Sequence, residues 1–337
     1  MVVVGAGVAG LTAARHLAST CEVVVVDKGR GVGGRLATRR VGEATVDHGA
    51  QFITTHTAEF AATMESWVHA GVAQPWFRGR VGPDGCLDPD GHTRYRGVAS
   101  MNDIAKHLAK GVDVRVATRV VGFEAVAEGW RVSLEDHTAL LADGLVVTTP
   151  VPQALELLEA SGIGLGAMDA AALEDISYEP CLAVLAVLEG PAGLPEPGAI
   201  DPAHGPIDWM ADNYTKGVSA VSAVTLHATA AFSSKYWNER DAVIIDELVG
   251  AAGLSVRPNA GLVQVHRWRY ARPTTVHPDR SLVAKDLPPL VFAGDAFGGA
   301  KVEGAARSGR AAAEALAARL DAEGGGADDV GAAQQRP

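Results

Sequence analysis

The chain has 337 residues, 47% of them hydrophobic and 20% charged, with a formal net charge of −11. That balance describes a globular protein of one large domain or two, with a sizeable core, and argues against a nucleic-acid binder. No apolar run approaches the ~20 residues of a membrane span, no basic segment precedes an apolar stretch as in a signal peptide, and Cys21, Cys86 and Cys181 lie too far apart for a disulfide framework or a metal pattern; a reduced, cytoplasmic setting is expected, with no membrane, metal or nucleic-acid partner.

The chain opens on MVVVGAGVAG. Val2 to Val4 read as a short buried strand, and Gly5, Gly7 and Gly10 follow in the spacing G-x-G-x-x-G. Gly5 permits a tight turn, Gly7 lets a pyrophosphate approach the backbone, and Gly10 lets a helix pack close to the sheet. Ala13, Ala14 and Leu17 continue at helical spacing, and a second apolar run, 23–26, ends at Asp27. A carboxylate there accepts from a ribose 2′-OH and disfavours a 2′-phosphate, so the motif predicts an ADP moiety.

DKGRGVGGRLATRR follows, a basic, glycine-rich loop in an acidic protein. Its bareness suits phosphate, with Arg35 as a charge-assisted contact and Arg39 and Arg40 as surface charges or neutralisers of a second anion. In DHGAQF, at 47–52, the small Gly49 and Ala50 with Gln51 and Phe52 suit a planar ring close to the backbone, or simply a tight turn. A helix is expected over 59–70, with Phe60, Met64, Trp67 and Val68 on its buried face. Residues 75–96 read as short strands joined by turns at Pro83-Asp84-Gly85 and Pro89-Asp90-Gly91. Arg78, Arg80, Arg94 and Arg96 there either line an anionic site or sit on strand edges.

Ser100 caps a helix running to Lys110, with Asp103 three residues on. Residues 112–125 read as one strand run, and 129–150 as two further strands joined by a turn at 135–137 and leaving the sheet at Thr148, Thr149 and Pro150. Helices are expected over 152–160 and 241–252, and strands over 181–189, 219–232 and 264–273, with His227 a satisfied core or wall histidine. Finally 290–293 reads as a buried strand, with Gly294-Asp295 at its end and Glu303 and Gly304 before an Ala-rich helix. A second strand–Gly–helix unit aimed back at the cofactor is more than a dinucleotide dehydrogenase needs. It suits FAD, whose ribityl hydroxyls or phosphate Asp295 can bond and whose pyrimidine edge a helix N-terminus can stabilise when reduced.

Together GAGVAGL, DKGRGVGGRLATRR, DHGAQF, ADGLVVTTP, HRWRYARP and AGDAFGGAKVEGAARSG resemble the renalase-like FAD-dependent oxidoreductases, a branch of the flavin-containing amine oxidase superfamily. The resemblance implies an α/β protein: a discontinuous Rossmann-type FAD-binding domain (1–70, 97–165 and 285–322), and a second α+β substrate domain on a mixed or antiparallel sheet (71–96 and 166–284). Residues 323–337 are expected to be a disordered tail. It implies that Gly5, Gly7, Ala9 and Gly10 meet the pyrophosphate, Asp27 and Lys28 the adenosine ribose, and Arg35 a phosphate. Ala50, Gln51 and Phe52 approach the flavin ring, Val120 offers its backbone to adenine, and Asp295, Val302, Glu303 and Gly304 hold the ribityl and pyrimidine ends. With no Cys in 47–52 or 294–304, a cysteinyl-flavin bond is not expected.

The resemblance also implies an activity: hydride transfer from an isomeric (2- or 6-) dihydro-NAD(P) to flavin N5, with O2 as acceptor and NAD(P)+ and H2O2 as products. A dihydropyridine has no proton that must leave, so no catalytic acid or base is assigned. The alternative is a flavin amine oxidase or desaturase acting on a small amine, for which Trp268, Tyr270, Trp209, Tyr214 and Trp237 could supply an aromatic cage, although core packing explains these aromatics as easily. A third reading is a FAD-binding sensor or structural protein.

Overall fold

The computed structural model describes the backbone of residues 1–257 and 261–331 and the side chains of 1–257 and 261–322. Packing divides the chain into two units. The first comprises Met1–Gly34, Leu108–Ser177 and Pro273–Pro337, and the second Arg35–His107 and Tyr178–Arg272.

The first unit is built on Val2–Val4, whose valines are all buried and which pairs in parallel with Leu145–Val147 on one side and Val24–Val26 on the other. Leu290–Phe292 and Asp113–Arg115 extend the sheet in parallel, and Leu282–Val283 closes one edge antiparallel. Such uniformly apolar strands need cover on both faces. The helix Val8–Leu17 and the last helix, Lys301–Gly331, pack together so closely that a Cβ on Gly309 would stand 2.1 Å from the Ala9 carbonyl oxygen. A small antiparallel sheet of Val120–Val126, Gly129–Leu134 and Ala139–Ala142 completes the unit, with Trp130 buried and its indole N–H donating to the Pro289 carbonyl.

The second unit carries a five-stranded sheet ordered Ala199–Ile200, Ile207–Asp212, Ala223–Ala228, Tyr178–Val187 and Val263–Pro273. The first four strands pair antiparallel. Ile244 and Leu248 of the helix Asp241–Ala252 join the sheet's Leu182, Val184 and Leu226 in one core. Two hairpins, Thr38–Val41 with Ala44–Asp47 and Ala73–Val81 with Leu87–Gly97, lie in the same unit. The protein is thus α/β, a Rossmann-like parallel sheet joined in sequence to a unit based on antiparallel pairing.

Several local expectations change. The run 112–125 is two strands, because Ala117 takes a positive φ of 51° and the N–H groups of Ala117 and Thr118 donate to the Gly29 and Asp27 carbonyls. Pro89-Asp90-Gly91 is no turn between strands but lies inside Leu87–Gly97, where the Asp90 carboxylate bonds Arg94 and the His92 N–H and so satisfies a local kink. The run 219–232 yields the strand Ala223–Ala228 and then a helix, Ala230–Lys235, whose first turn is capped by Thr229. Val68 is exposed, off the face that buries Phe60, Met64 and Trp67. Glu303 and Gly304 stand inside the first turn of the last helix, which starts at Lys301. Of the tail 323–337, residues up to Gly331 continue the last helix. Residues 332–337 lie outside the described residues.

Candidate active site

In the first unit the glycine motif does mechanical work. Gly5 has a φ of 109°, and its N–H donates to the Val26 carbonyl. A Cβ on Gly10 would lie 1.9 Å from the Gly5 carbonyl oxygen, so strand and helix meet through bare backbone. Gly7 differs: its φ is −78°, and a Cβ there would meet nothing within 4 Å. It is also the N-cap of Val8–Leu17 and offers no side chain to the first-turn N–H groups. Uncapped N–H groups beside open space, at the positive end of a helix dipole, suit an anion.

Asp27 ends the next strand. Its Oδ2 accepts from the Ala6 N–H at 2.7 Å and its Oδ1 from the Gly29 N–H at 2.6 Å. The carboxylate therefore pins the glycine loop, and its further lone pairs remain for a hydroxyl. Lys28 donates to the Gln153 side chain at 3.0 Å, and partial burial, with Arg119 nearby, lowers its pKa. Val120 begins an edge strand of the small sheet, and the bonds of Ala117 and Thr118 to the 27–29 loop bring that strand's start to Asp27.

The second strand–Gly–helix segment belongs to the same unit. Gly294 donates its N–H to Ser308 Oγ at 2.8 Å, which ties the end of Leu290–Phe292 to the last helix. A Cβ on Gly304 would stand 1.6 Å from the Gly299 carbonyl oxygen. Asp295, Val302 and Glu303 are all buried. Thr149 Oγ1, just past the Leu145–Val147 strand, and Arg307 Nε are buried with no hydrogen-bond partner, as expected where a polar group completes the site. An open approach at Gly7, a carboxylate at the second strand's end and these orphaned polar atoms fit a dinucleotide cofactor.

The second unit contains Arg35 and the 47–52 turn. Arg35 Nη1 donates to the Tyr270 and Ala271 carbonyls at 3.3 and 3.4 Å, a strut to the Val263–Pro273 strand. A Cβ on Gly49 would lie 2.1 Å from the Arg35 carbonyl oxygen, which the Ala50 N–H also bonds. Asp47 and Lys216, which sequence reasoning passed over, form an ion pair of 2.9 Å with both side chains fully buried. Thr38 and the Met101 N–H donate to the other Asp47 oxygen, Asn213 accepts from its N–H, and Thr225 and Gln51 donate to its carbonyl. Burial lowers the Lys216 pKa against the opposing pull of Asp47. A lone lysine between apolar strands was the available signal.

His48 stacks on Trp268 and meets His266 edge-on. Burial first, then His266, Arg39 and His227, brings the His48 pKa down to about 3, and burial with Arg39 brings that of His266 to about 4. Both rings are neutral at pH 7. His227 bonds the His48 carbonyl, as befits a satisfied wall histidine. Phe52 packs beside Phe77 and Trp209, and Trp76 touches the last two. Arg94 lies over the Phe52 ring and Lys216 over the Trp76 ring. The five aromatics considered for an amine cage do not gather. Trp209 joins this cluster, Trp268 stacks on His48, Tyr270 meets Tyr178, Trp237 lies under Arg269 and Tyr214 is exposed, because they come from separate strands and turns.

Comparison with known proteins agrees with this architecture. Residues 3–66 match the NAD(P)-binding Rossmann-like domain, and residues 87–317 match flavin containing amine oxidoreductase. Among solved structures, a putative protoporphyrinogen oxidase from Exiguobacterium sp. 255-15 is similar with a TM-score of 0.69 at 13% identity, covering 94% of this chain and 98% of the other. Wild-type putrescine oxidase bound to putrescine is similar with a TM-score of 0.69 at 14% identity and the same coverages. At such identities the likeness concerns the fold. The family match extends over more than half of the chain and, with a Rossmann match ahead of it, places the protein in the flavin-containing amine oxidoreductase family as an FAD-dependent oxidoreductase.

Proposed function

We propose that this oxidoreductase removes a hydride from an isomeric dihydronicotinamide dinucleotide. In this reading Gly5, Gly7, Ala9 and Gly10 hold the FAD pyrophosphate. Asp27, Lys28 and the Val120 backbone take the adenosine, Arg35 a phosphate, and Asp295, Val302, Glu303 and Gly304 the ribityl and pyrimidine ends. Ala50, Gln51 and Phe52 approach the ring. Bound FAD supplies the two-electron acceptor and passes the electrons to O2, giving H2O2.

The observation that carries the substrate reading is the cluster of Phe52, Trp76, Phe77 and Trp209 with cations over two of its rings. Two carboxylates near it, Asp47 and Asp90, are already committed to Lys216 and Arg94. A protonated amine would meet positive charge there, whereas a flat, electron-rich dihydropyridine finds aromatic faces and a dry wall. Arg78 and Arg80, exposed on the same strand as Trp76 and Phe77, suit the diphosphate of such a substrate. When the hydride leaves with its electron pair the ring becomes a pyridinium, and no proton has to be removed. Membership of the amine oxidoreductase family favours the second reading, oxidation of a small amine.

Anaerobic stopped-flow bleaching of the flavin separates the two. Dihydronicotinamide isomers should bleach it fast, at a rate nearly flat from about pH 6 to 9, a range that lies above the His48 and His266 values. Fast bleaching by amines alone, slowing at low pH as the amine protonates, would establish the second reading instead.

A further inference from the structure

The buried Asp47–Lys216 pair is expensive. Two charges withdrawn from water cost several kcal/mol each before their attraction is counted, and an apolar pair of similar volume often serves stability as well or better. Its place in the chain explains what it does. Asp47 ends the strand Ala44–Asp47 and starts the 47–52 turn. Lys216 Nζ lies 2.9 Å from Asp47 Oδ2 and 3.4 Å from Gln51 Oε1, so one ammonium bonds both ends of that turn. Gln51 Nε2 closes the turn from inside, donating to the Asp47 and Gly49 carbonyls at 2.8 and 3.1 Å. Lys216 also dictates which way the Gln51 amide faces, since an ammonium accepts nothing and must meet the oxygen. The lysine is itself held in a tight turn: its N–H donates to the Asp212 carbonyl, and the next residue, Gly217, has a φ of 76°.

We propose that Lys216 is a positioning residue for the flavin: by clamping Asp47 and Gln51 it fixes the backbone of Ala50, Gln51 and Phe52 in the conformation that meets the ring. This rests on the reading that 50–52 approach the flavin. The ion pair is therefore retained for geometry and not for stability.

The test uses purified holoprotein and reads the visible circular dichroism of bound flavin, FAD retention and thermal unfolding. The neutral double variant Asp47→Asn/Lys216→Met should fold, shift the visible dichroism and weaken FAD binding by about tenfold or more, as a misplaced contact does. Lys216→Gln, which keeps an N–H donor toward Asp47, should restore part of both. Ala50→Leu checks the underlying reading: with Lys216 intact it should change the flavin spectrum. A folded double variant with wild-type dichroism and retention, while Ala50→Leu alters both, overturns the proposal alone. An Ala50→Leu protein with an unaltered flavin overturns the reading of 50–52, and the proposal with it. If neither Lys216 variant folds, the pair is a stability element and the positioning role is refuted.

Discussion

In the first unit the Val8–Leu17 helix comes so near its strand that a Cβ on Gly10 would stand 1.9 Å from a carbonyl oxygen. In the second, the 47–52 turn is held by two charges, Asp47 and Lys216, 2.9 Å apart and wholly buried. The first unit shapes its candidate site with backbone and with absent side chains. The second shapes it with polar side chains drawn from distant segments, each satisfied by another. The contrast teaches that glycine-built geometry fails by steric clash, whereas network-built geometry fails by leaving a charge or donor without its partner.

The largest effect should come from Gly10→Ala. The added methyl has nowhere to go, and we expect a loss of more than about 3 kcal/mol, seen as an unfolded or flavin-free protein. Gly7→Ala is its control, because the same methyl meets open space at an ordinary φ. That variant should melt as the wild type does without FAD, yet retain FAD poorly; equal melting losses in both would show that Gly7 is structural too.

Next comes the network. Lys216→Met alone strands a buried carboxylate and should cost about 3–5 kcal/mol in urea unfolding. A loss below about 1 kcal/mol would mean that water or rearrangement reaches Asp47, and the contrast between the units would weaken.

Arg35→Ala should rank third. If Arg35 meets a phosphate as proposed, its removal should cost about 1.5–3 kcal/mol of FAD binding, measured by fluorescence titration. Arg39→Ala, whose side chain bonds Gln264 and His266, should matter less for FAD. Equal losses would make loop charge in general the cause. Should Arg35→Ala lower unfolding stability and leave FAD affinity alone, its role is structural, through bonds such as those to Tyr270 and Ala271.

The last expected effect is on pH, and at pH 5 it reaches about 2 kcal/mol for His48 alone. His48 and His266 have folded values near 3 and 4 against 6.5 when unfolded. For a base whose folded pKa is depressed, the unfolded state takes up the proton first. Stability is then complete above pH 6.5 and falls as pH drops below it. The slope for the buried His48 is at most about 1.4 kcal/mol per pH unit. Urea midpoints at pH 7.5 and 5 should show the loss, and His48→Gln should reduce it. An unchanged midpoint at pH 5 would place water against these rings.

Much of the first unit was legible in the residues. Gly5, Gly7 and Gly10 stand at spacings that backbone sterics demand, and Val2–Val4 and Val24–Val26 pair as their apolar runs suggest. Asp27 ends its strand as expected, but that both its oxygens bond the glycine loop was not readable, because a side chain's backbone partners depend on the closed turn. The second unit was legible mainly as elements. DHGAQF stood out through its small residues, while Lys216, Asn213 and Thr225, which hold it, did not. Their bonds to Asp47 cross 166 or more positions of the chain, and no local pattern encodes such a distance.

The amino-acid sequence by itself determined the parallel sheet's opening, the glycine turn and the acidic strand end, because these follow from short-range sterics and hydrophobic periodicity. Only the tertiary structure decided which charges lie buried together, which way Gln51 faces and which rings gather at Phe52. Those follow from the packing of distant strands, where a polar group excluded from water must take whatever partner the fold brings to it.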